Sequence, residues 1–232
     1  MGSTLKGKDD VTLVAKKDVR IRQSNIGSEK GNVLIGSQQG DIQVEAGREE
    51  EQLASASKSV SRGRFGLSKT TEIRRHEHDI AQSVSSNIDG KTVNLIAGQG
   101  NVTVQGSNAV GENGLTVRAK NIDIKEAENK VYSEDFHSKK KSGVLGGGLG
   151  VTFGAQKQTL ESDKTKFYAQ GSQVGSLNGN TTLIAENHYS QTASQVSAVN
   201  GDVNILAKNV DIKAADDKYE TNTKQTFQQK GV

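Results

Sequence analysis

The chain of 232 residues contains no cysteine and no proline. Without cysteine, neither a disulfide framework nor a thiolate metal site is available. Without proline, and with 26 glycines to supply turns, backbone hydrogen-bond ladders can run from strand to strand without interruption.

Bulky apolar residues are scarce as well. Only 32% of the residues are hydrophobic and 4% are aromatic, and there is no tryptophan. A thick globular core is therefore hard to build from this chain, whereas a thin core is easy. No apolar run approaches the roughly 20 residues of a membrane-spanning helix. Residues 1–3 carry no signal peptide, so we expect the targeting segment of an exported parent protein to lie outside this sequence.

What the chain does contain is a short apolar pattern that recurs six times. Each copy alternates two apolar residues with polar ones, ends on a small residue, and is followed by a second alternating apolar pair. The copies begin at residues 11, 33, 93, 115, 181 and 203, so two copies 22 residues apart alternate with a long polar excursion. The copy at Thr181 has Leu183 and Ala185 but no clear second pair. This layout is typical of a stacked solenoid.

The alternation also predicts the local structure. Short pieces rich in Val, Ile and Thr, bounded by Gly, Asn and Asp, indicate short strands with one buried face. About three such strands fit into 22 residues at a rise of roughly 3.3 Å per residue, and the third strand corresponds to similar stretches beginning at Ser24, Ser107 and Ser194. The sequence therefore predicts an all-β fold, a parallel β-helix, with right-handed coiling because parallel crossovers are overwhelmingly right-handed. The predicted stacking core consists of Val11, Leu13, Val33, Ile35, Val93, Leu95, Val102, Val104, Leu115, Val117, Ile122, Ile124, Leu183, Val203, Ile205, Val210 and Ile212.

We expect residues 1–232 to form one repeat segment cut from a longer array. The predicted coil pairs lie near 4–46, 91–125 and 180–213, and the predicted excursions lie near 47–90, 126–179 and 214–232. In the second excursion, polar arms at 130–141 and 151–166 flank the glycine-rich residues 142–150, which predicts a long β-hairpin directed sideways from the coils. Residues 49–61 of the first excursion could instead form a helix, but their counterpart in the second excursion is poor helix material, so a hairpin is favoured. Residues 61–67 of the first excursion form a shorter and more basic tip than their counterpart.

Together, the strand pattern and the glycine-rich sequence from Lys141 to Gly154 resemble the haemagglutinin repeats of filamentous haemagglutinin and of contact-dependent growth inhibition exoproteins. The resemblance covers essentially the whole chain and is best for the second of the two repeat types in the inhibition proteins. It implies a giant surface protein of a Gram-negative bacterium, exported by two-partner secretion and therefore secreted or displayed on the cell surface. The implied roles are a filament shaft, adhesion, and help in delivering a carboxy-terminal toxin across a target outer membrane. The implied partners are a cognate outer-membrane transporter and the surface or outer membrane of the target cell.

The tip of the second excursion is the candidate contact site. Small glycines and uncharged apolar residues follow three lysines, so the tip could enter an outer-membrane interface while the lysines meet anionic head groups. The alternative is a flexible tip that merely tolerates glycine. The candidate contact residues are Lys139, Lys140, Lys141, Val144, Leu145, Leu149, Val151 and Phe153.

No metal or cofactor is predicted. His76 and His78 would share one face of a strand, but no third ligand is identifiable, so we expect a solvated hairpin there. His137 and His188 stand alone in the sequence. Acidic and amide residues at predicted corners, such as Asp10 and those at 121–123, lack the spacing of calcium-binding β-rolls.

Other function classes are less favoured by the sequence. Some parallel β-helices cleave polysaccharides with clustered acids, but Asp41 and Glu45 are the nearest approach to such a pair, and ordinary corner acids explain them. A net charge of +3, with scattered bases and few interleaved aromatics, argues against nucleic-acid binding. An adhesin that binds a host receptor or glycan is the principal alternative to the delivery role. Open ladders at the ends of such a slice also predict some self-association.

Overall fold

The computed structural model describes residues 2–63, 66–147 and 150–231. The described residues form 21 β-strands and no α-helix. Their contacts divide the chain into two units. The coil unit contains residues 1–49, 82–129 and 168–217, and the hairpin unit contains residues 50–81, 130–167 and 218–232.

One sheet of the coil unit consists of six short parallel strands, each of four residues. In spatial order they are β1 (Thr4–Gly7), β4 (Asn25–Ser28), β9 (Asn87–Gly90), β12 (Asn108–Gly111), β16 (Gln173–Ser176) and β18 (Gln195–Ala198).

The other sheet of the coil unit contains two rows of parallel strands. The first row has β2 (Val11–Ala15), β5 (Val33–Ser37), β10 (Val93–Ala97) and β19 (Val203–Leu206); the second has β3 (Val19–Arg22), β6 (Ile42–Glu45), β11 (Val102–Gln105) and β20 (Asn209–Lys213). Two longer strands, β13 (Leu115–Lys125) and β17 (Thr181–Thr192), pass through both rows and join them. The chain thus passes through six successive layers of three strand segments each, an all-β arrangement consistent with the predicted β-helix.

The register places equivalent residues of successive layers side by side. Val93 pairs with Val33 on one side and with Leu115 on the other, and Leu95 lies between Ile35 and Val117 in the same way. All of these side chains except Leu115, which is 1% exposed, are completely buried. Because a shift of one residue would turn every apolar side chain to the outer face, burial of these columns fixes the register. Each square ångström of apolar surface removed from water in these columns contributes about 25 cal/mol.

The last layer differs from the ones before it. Val203, Val210 and Ile212, which the sequence places in the stacking core, are 43%, 53% and 62% exposed, and Ile205 is only half-buried. No described strand pairs with the far side of β19 or β20, so nothing in the described chain covers these side chains. In this chain they are therefore exposed rather than buried.

Two strands of the layers lie outside the coil ranges that the apolar pattern indicated. Strands β9 and β16 belong to the six-stranded sheet, although both lie in ranges that the sequence assigned to the excursions. Each contributes one strongly buried apolar side chain, Ile88 or Val174, both 1% exposed. A single apolar residue in a strand is too weak a pattern to distinguish it from a polar excursion.

The hairpin unit contains a five-stranded sheet of long strands. They are β7 (Gly47–Arg62), β8 (Ser68–Val84), β14 (Ala127–Gly147), β15 (Gly150–Gln170) and β21 (Lys218–Gly231), in the spatial order β21-β15-β14-β8-β7. Since β7 covers residues 49–61, the helix alternative for this segment is wrong. Strand β8 pairs antiparallel with β14, and β15 pairs antiparallel with β21. The arms of successive excursions are therefore neighbours in one sheet.

A left-handed backbone residue marks each place where one layer leads directly into the next. Gln23, Gly106 and Ala193 have φ angles of 48°, 54° and 43°, and each precedes the serine before a strand of the six-stranded sheet. Two of the three are not glycine, which is uncommon for this conformation. After the second and fourth layers the chain instead continues into β7 or β14. The alternation of direct links and excursions thus follows the paired spacing in the sequence.

A ladder of serines runs along this same corner. The backbone N–H of each serine donates to the Oγ of the next, at 3.0–3.2 Å, through Ser24, Ser86, Ser107, Ser172 and Ser194. Two of the hydroxyls also bridge the breaks left by the excursions. Ser86 Oγ donates to the carbonyl oxygen of Glu45, and Ser172 Oγ donates to that of Lys125, both at 2.7 Å. Ser86 and Ser172 precede the strands that follow the first and second excursions. Each is thereby hydrogen-bonded to the last residue of the strand before that excursion, Glu45 or Lys125.

We expect Ser172→Ala to lower the free energy of unfolding by about 1–3 kcal/mol. Ser172 is 1% exposed, so loss of its hydroxyl leaves the Lys125 carbonyl and the Ser107 N–H without this bond partner in a buried position. Urea unfolding followed by circular dichroism measures the change. Ser59→Ala, at an exposed position of β7, is the matched control. Equal unfolding midpoints for the two variants would contradict the proposed contribution of the ladder.

Candidate interaction surface

The predicted contact residues that the structure describes lie on two adjacent strands of the hairpin unit. Lys139, Lys140 and Lys141 are on β14, and Phe153, which is 64% exposed, is on β15. The backbone N–H of Val144 donates to the carbonyl oxygen of Leu67 at 3.0 Å.

Three of the predicted contact residues belong to the glycine-rich tip and its edge. Leu149 lies outside the described residues, and the structure describes the side chains of neither Leu145 nor Val151. The contact role of these three residues stays a prediction from the sequence.

The three lysines do not share one face of the sheet. In the register of β14 against β8, Lys139 lies opposite Glu72, Lys140 opposite Thr71, and Lys141 opposite Thr70. Because successive residues of a strand point to opposite faces, Lys140 points away from the side on which Lys139 and Lys141 lie. We call the side of Lys140 face 1 and the side of Lys139 and Lys141 face 2.

Face 2 carries a carboxylate with two cationic or polar partners. Glu72 Oε1 accepts hydrogen bonds from Arg74 Nε at 3.0 Å and Nη2 at 2.6 Å, and it lies 2.8 Å from His137 Nε2. The hydrogen bond from Arg74, followed by that with His137, lowers the pKa of the Glu72 carboxyl below its usual value. The bond to His137 connects β8 with β14, the arms of two different excursions.

A second histidine-carboxylate pair makes the same connection. His76 Nδ1 lies 2.7 Å from Asp135 Oδ1, and the rings of His76 and His78 stack with their centroids 6.3 Å apart. Within the described residues, no group of three or more His, Cys, Asp or Glu side chains is arranged to hold a metal ion. The pairs were not visible in the sequence because their members are separated by about sixty residues.

Face 1 has contacts between cations and aromatic rings. The Arg75 guanidinium lies 4.4 Å from the centroid of Phe136, and Lys130 Nζ lies 5.8 Å from the ring centroids of both Tyr132 and Phe167. Such contacts contribute about 0.5–1 kcal/mol at exposed sites. Desolvation, followed by a hydrogen bond to Glu134, raises the pKa of Tyr132 to about 12.

The acidic and amide residues of the coil corners bond to one another between layers. Asp41 Oδ1 accepts hydrogen bonds from Asn101 N at 2.8 Å and from Asn101 Nδ2 at 3.1 Å, and Asn121 Nδ2 donates to Asn101 Oδ1 at 2.6 Å. Asp10 likewise accepts from Asn32. These groups bind neighbouring layers, so Asp41 already has a structural partner. His188, the remaining lone histidine, is exposed on β17.

Tyr189 supplies the apolar contact that the fifth copy of the pattern was missing. It is completely buried, and the register places it between Ile122 and Val210. Its hydroxyl donates to Gln191 Oε1 at 2.7 Å, and burial raises the pKa of the phenol to about 12. The register shifts between Ala119 and Asn121, so the inward position falls one residue later than in the two adjacent layers, where Ile122 and Val210 occupy it. The next inward residue is the polar Gln191, which pairs with Ile124, so this copy has no second apolar pair and the sequence pattern did not include Tyr189.

The described residues contain no helix that is long and apolar enough to cross a membrane. Among the described residues, the coil unit has stacked strands with hydrogen-bonded corners, and the hairpin unit has two sheet faces.

Comparison with known proteins connects this arrangement with a group of large proteins. The chain is 36% identical to the tRNA nuclease CdiA of Yersinia mollaretii over 163 residues, which are 64% of this chain and 5% of that protein. It is 28% identical to the tRNA nuclease CdiA-2 of Burkholderia pseudomallei over 190 residues, which are 80% of this chain and 6% of that protein. It is 35% identical to the 16S rRNA endonuclease CdiA of Enterobacter cloacae over 156 residues, which are 62% of this chain and 5% of that protein.

The chain thus spans only about a twentieth of the length of these relatives. No solved structure matches it. The family model for the hemagglutinin repeat matches residues 1–74 and 67–231, which together include both units. The chain therefore belongs to the hemagglutinin repeat family.

Proposed function

We propose that this chain is a shaft segment of a large secreted bacterial surface protein that contributes to cell contact and to delivery of a toxin across a target outer membrane. In this proposal the layers of the coil unit are turns of a right-handed parallel β-helix with about 22 residues and three strands per turn. The excursions are β-hairpins. The protein is exported through a cognate outer-membrane transporter and meets the surface of a target cell.

The observation that carries the proposal is the unbroken column of equivalent residues through successive layers. Val33, Val93 and Leu115 are adjacent in the register, and the serine ladder continues the hydrogen bonding across each excursion. A stack in which each layer binds mainly its neighbours is suited to length rather than to enclosing a reaction site. Relatives named as CdiA nucleases support a place in an exoprotein that also carries a toxin elsewhere in its chain.

A chimera tests this function. The aligned repeats of the Yersinia mollaretii CdiA are replaced by this chain, and a second version lacks those repeats altogether. We expect the chimera to reach the cell surface, bind target cells and inhibit their growth, whereas the deletion is displayed but inhibits much less. Display is measured with surface antibodies, binding with mixed-cell aggregates, and delivery with viable counts of target cells.

The separate readouts distinguish the alternatives. A chimera that is displayed and binds cells but does not inhibit them would overturn the delivery role and leave an adhesin segment that binds a receptor or glycan. Release of reducing ends from bacterial or host glycans by the purified chain would instead support a polysaccharide-cleaving enzyme. The bonding of Asp41 to Asn101 favours a structural corner over an acidic catalytic pair.

A further inference from the structure

Contacts and register assign residues of all five long strands to face 1. Gln52 Nε2 donates to Glu77 Oε1 at 3.2 Å, which places alternate residues of β7 on the same side as alternate residues of β8. Lys130 contacts both Tyr132 and Phe167, which joins β14 to β15 on that side. Phe167 pairs with Lys218, so the even-numbered residues of β21 follow on the same face.

On this face, cations and acids lie in different halves of the strands. In the half of the sheet nearest the connections at 63–67 and 147–150, which we call the loop half, eight exposed cations point to face 1 with a single acid, Glu161. The cations are Lys58, Arg62, Lys69, Arg75, Lys140, Lys157, Lys224 and Lys230.

The other half of face 1 has the opposite sign. Within the hairpin unit, six acids lie there with two cations, Lys130 and Lys218. The acids are Glu50, Glu77, Asp79, Glu134, Asp163 and Glu220. A boundary between the two signs crosses the strands near Arg75 and Phe136, which are directly opposite each other in the register.

Face 2 does not repeat this pattern. In its loop half the cations are Arg74, Lys139 and Lys141, and Arg74 is already paired with Glu72 at 2.6 Å. The cluster of cations therefore lies on one face of the sheet. The sequence does not reveal this cluster, because successive residues of a strand point to opposite faces.

Exposed apolar side chains lie on both faces of the loop half, with Leu160 and Phe227 on face 2, but only those of face 1 lie among many cations. Val60 is 48% exposed and Phe153 is 64% exposed, and both lie in the loop half, on the same side as Arg62 and Lys157. Cations interspersed with apolar side chains match the boundary between phosphate head groups and acyl chains. A soluble polyanion would account for the cations but not for the exposed apolar side chains.

From these observations we infer that the loop half of face 1 docks on a membrane surface rich in anionic lipid phosphate. The docking is oriented: the basic half contacts the head groups, and the acidic half is repelled from them. Five strands from three excursions contribute to the surface, so no single hairpin contains it. The inference rests on the proposed function, to which it adds the face and the chemical nature of the contact.

The test compares two variants of the whole chain that have the same change in formal charge. The face 1 variant carries Lys69→Glu and Lys140→Glu, and the face 2 control carries Lys139→Glu and Lys141→Glu. Binding is measured by co-sedimentation with phosphatidylcholine vesicles, with and without phosphatidylglycerol. Circular dichroism checks folding, and Lys69→Ala with Lys140→Ala provides a milder face 1 variant.

We expect the wild type to bind the anionic vesicles and not the neutral ones, with binding that weakens as salt rises. The face 1 charge reversal should reduce binding more than about tenfold, because each basic side chain near such a surface contributes appreciably to binding, whereas the face 2 control retains most of it. Equal losses in the two variants would overturn the inference, since net charge alone would then explain binding. Binding to soluble dextran sulfate but not to anionic vesicles would also overturn it and indicate a polyanionic glycan. Absence of vesicle binding together with toxin delivery by the chimera would reject the lipid surface and leave the proposed function standing.

Discussion

Leu95→Asp is expected to lower the free energy of unfolding by at least about 4 kcal/mol. Leu95 is completely buried between Ile35 and Val117. The substitution removes an apolar side chain from the column and places a carboxylate where no cation or water can solvate it. Val117→Asp should have a similar effect in the adjacent layer. Thermal and urea unfolding, followed by circular dichroism in the strand region, measure both variants.

The neighbouring residue provides the matched control. Ile96 follows Leu95 on β10 but is 38% exposed, so Ile96→Asp introduces the same group on the outer side. We expect it to cost less than about 1 kcal/mol, as is usual for partly exposed positions. A Leu95→Asp variant that unfolds at the temperature of the Ile96→Asp control would show that the strand faces have been assigned incorrectly.

Tyr189→Ala is expected to lower the free energy of unfolding by about 3–5 kcal/mol, the range for removing a buried aromatic side chain. Tyr189 has the largest side chain among the fully buried described residues, and its neighbours Ile122 and Val210 belong to the layers on either side. The cavity would weaken both contacts at once. Urea denaturation of the whole chain gives the difference.

Tyr189→Phe separates the ring from its hydroxyl. This variant keeps the packing and loses only the hydrogen bond to Gln191, so a cost of about 1 kcal/mol is expected. If the alanine variant were no less stable than the phenylalanine variant, the ring would not contribute to the core of the fifth layer.

The sequence predicted the elements whose side chains alternate clearly. Val33, Ile35, Val93 and Leu95 each lie at an inward position of a regular strand, and all are fully buried. The period of two is sufficient to find such strands because one face of each is covered completely. The all-β architecture followed from the same pattern, whereas the hairpin at residues 49–61 was favoured because their counterpart in the second excursion is poor helix material.

Features that depend on distant parts of the chain could not be found in this way. The serine ladder joins residues up to 65 positions apart, and the pairs His76–Asp135 and His137–Glu72 connect different excursions. No local pattern specifies these contacts, since each residue considered alone is an ordinary polar residue on a strand or corner. Val210 and Ile212 are the opposite case. Their alternation is regular and predicts burial, but both are exposed because no described strand covers the far side of β20.

The candidate surface was likewise predictable only in part, because it combines a local pattern with contacts between distant strands. The three consecutive lysines at 139–141 were visible in the sequence, but alternation assigns Lys140 to one face and its two neighbours to the other. The other cations in the loop half of face 1 come from four other strands. Only the sheet order and register, which the sequence did not provide, bring them together.

The measurement that tests the account most directly is cross-linking of two excursions through engineered cysteines. The basic face requires β8 and β14 to pair in the observed register, in which His78 lies opposite Ser133. Directly opposed residues of antiparallel strands are close enough for a disulfide, and the chain has no other cysteine to interfere. The variant with His78→Cys and Ser133→Cys should form an intramolecular disulfide on mild oxidation, whereas His78→Cys with Glu134→Cys, one residue out of register, should not. Equal disulfide formation in both variants, or none in either, would contradict the shared sheet.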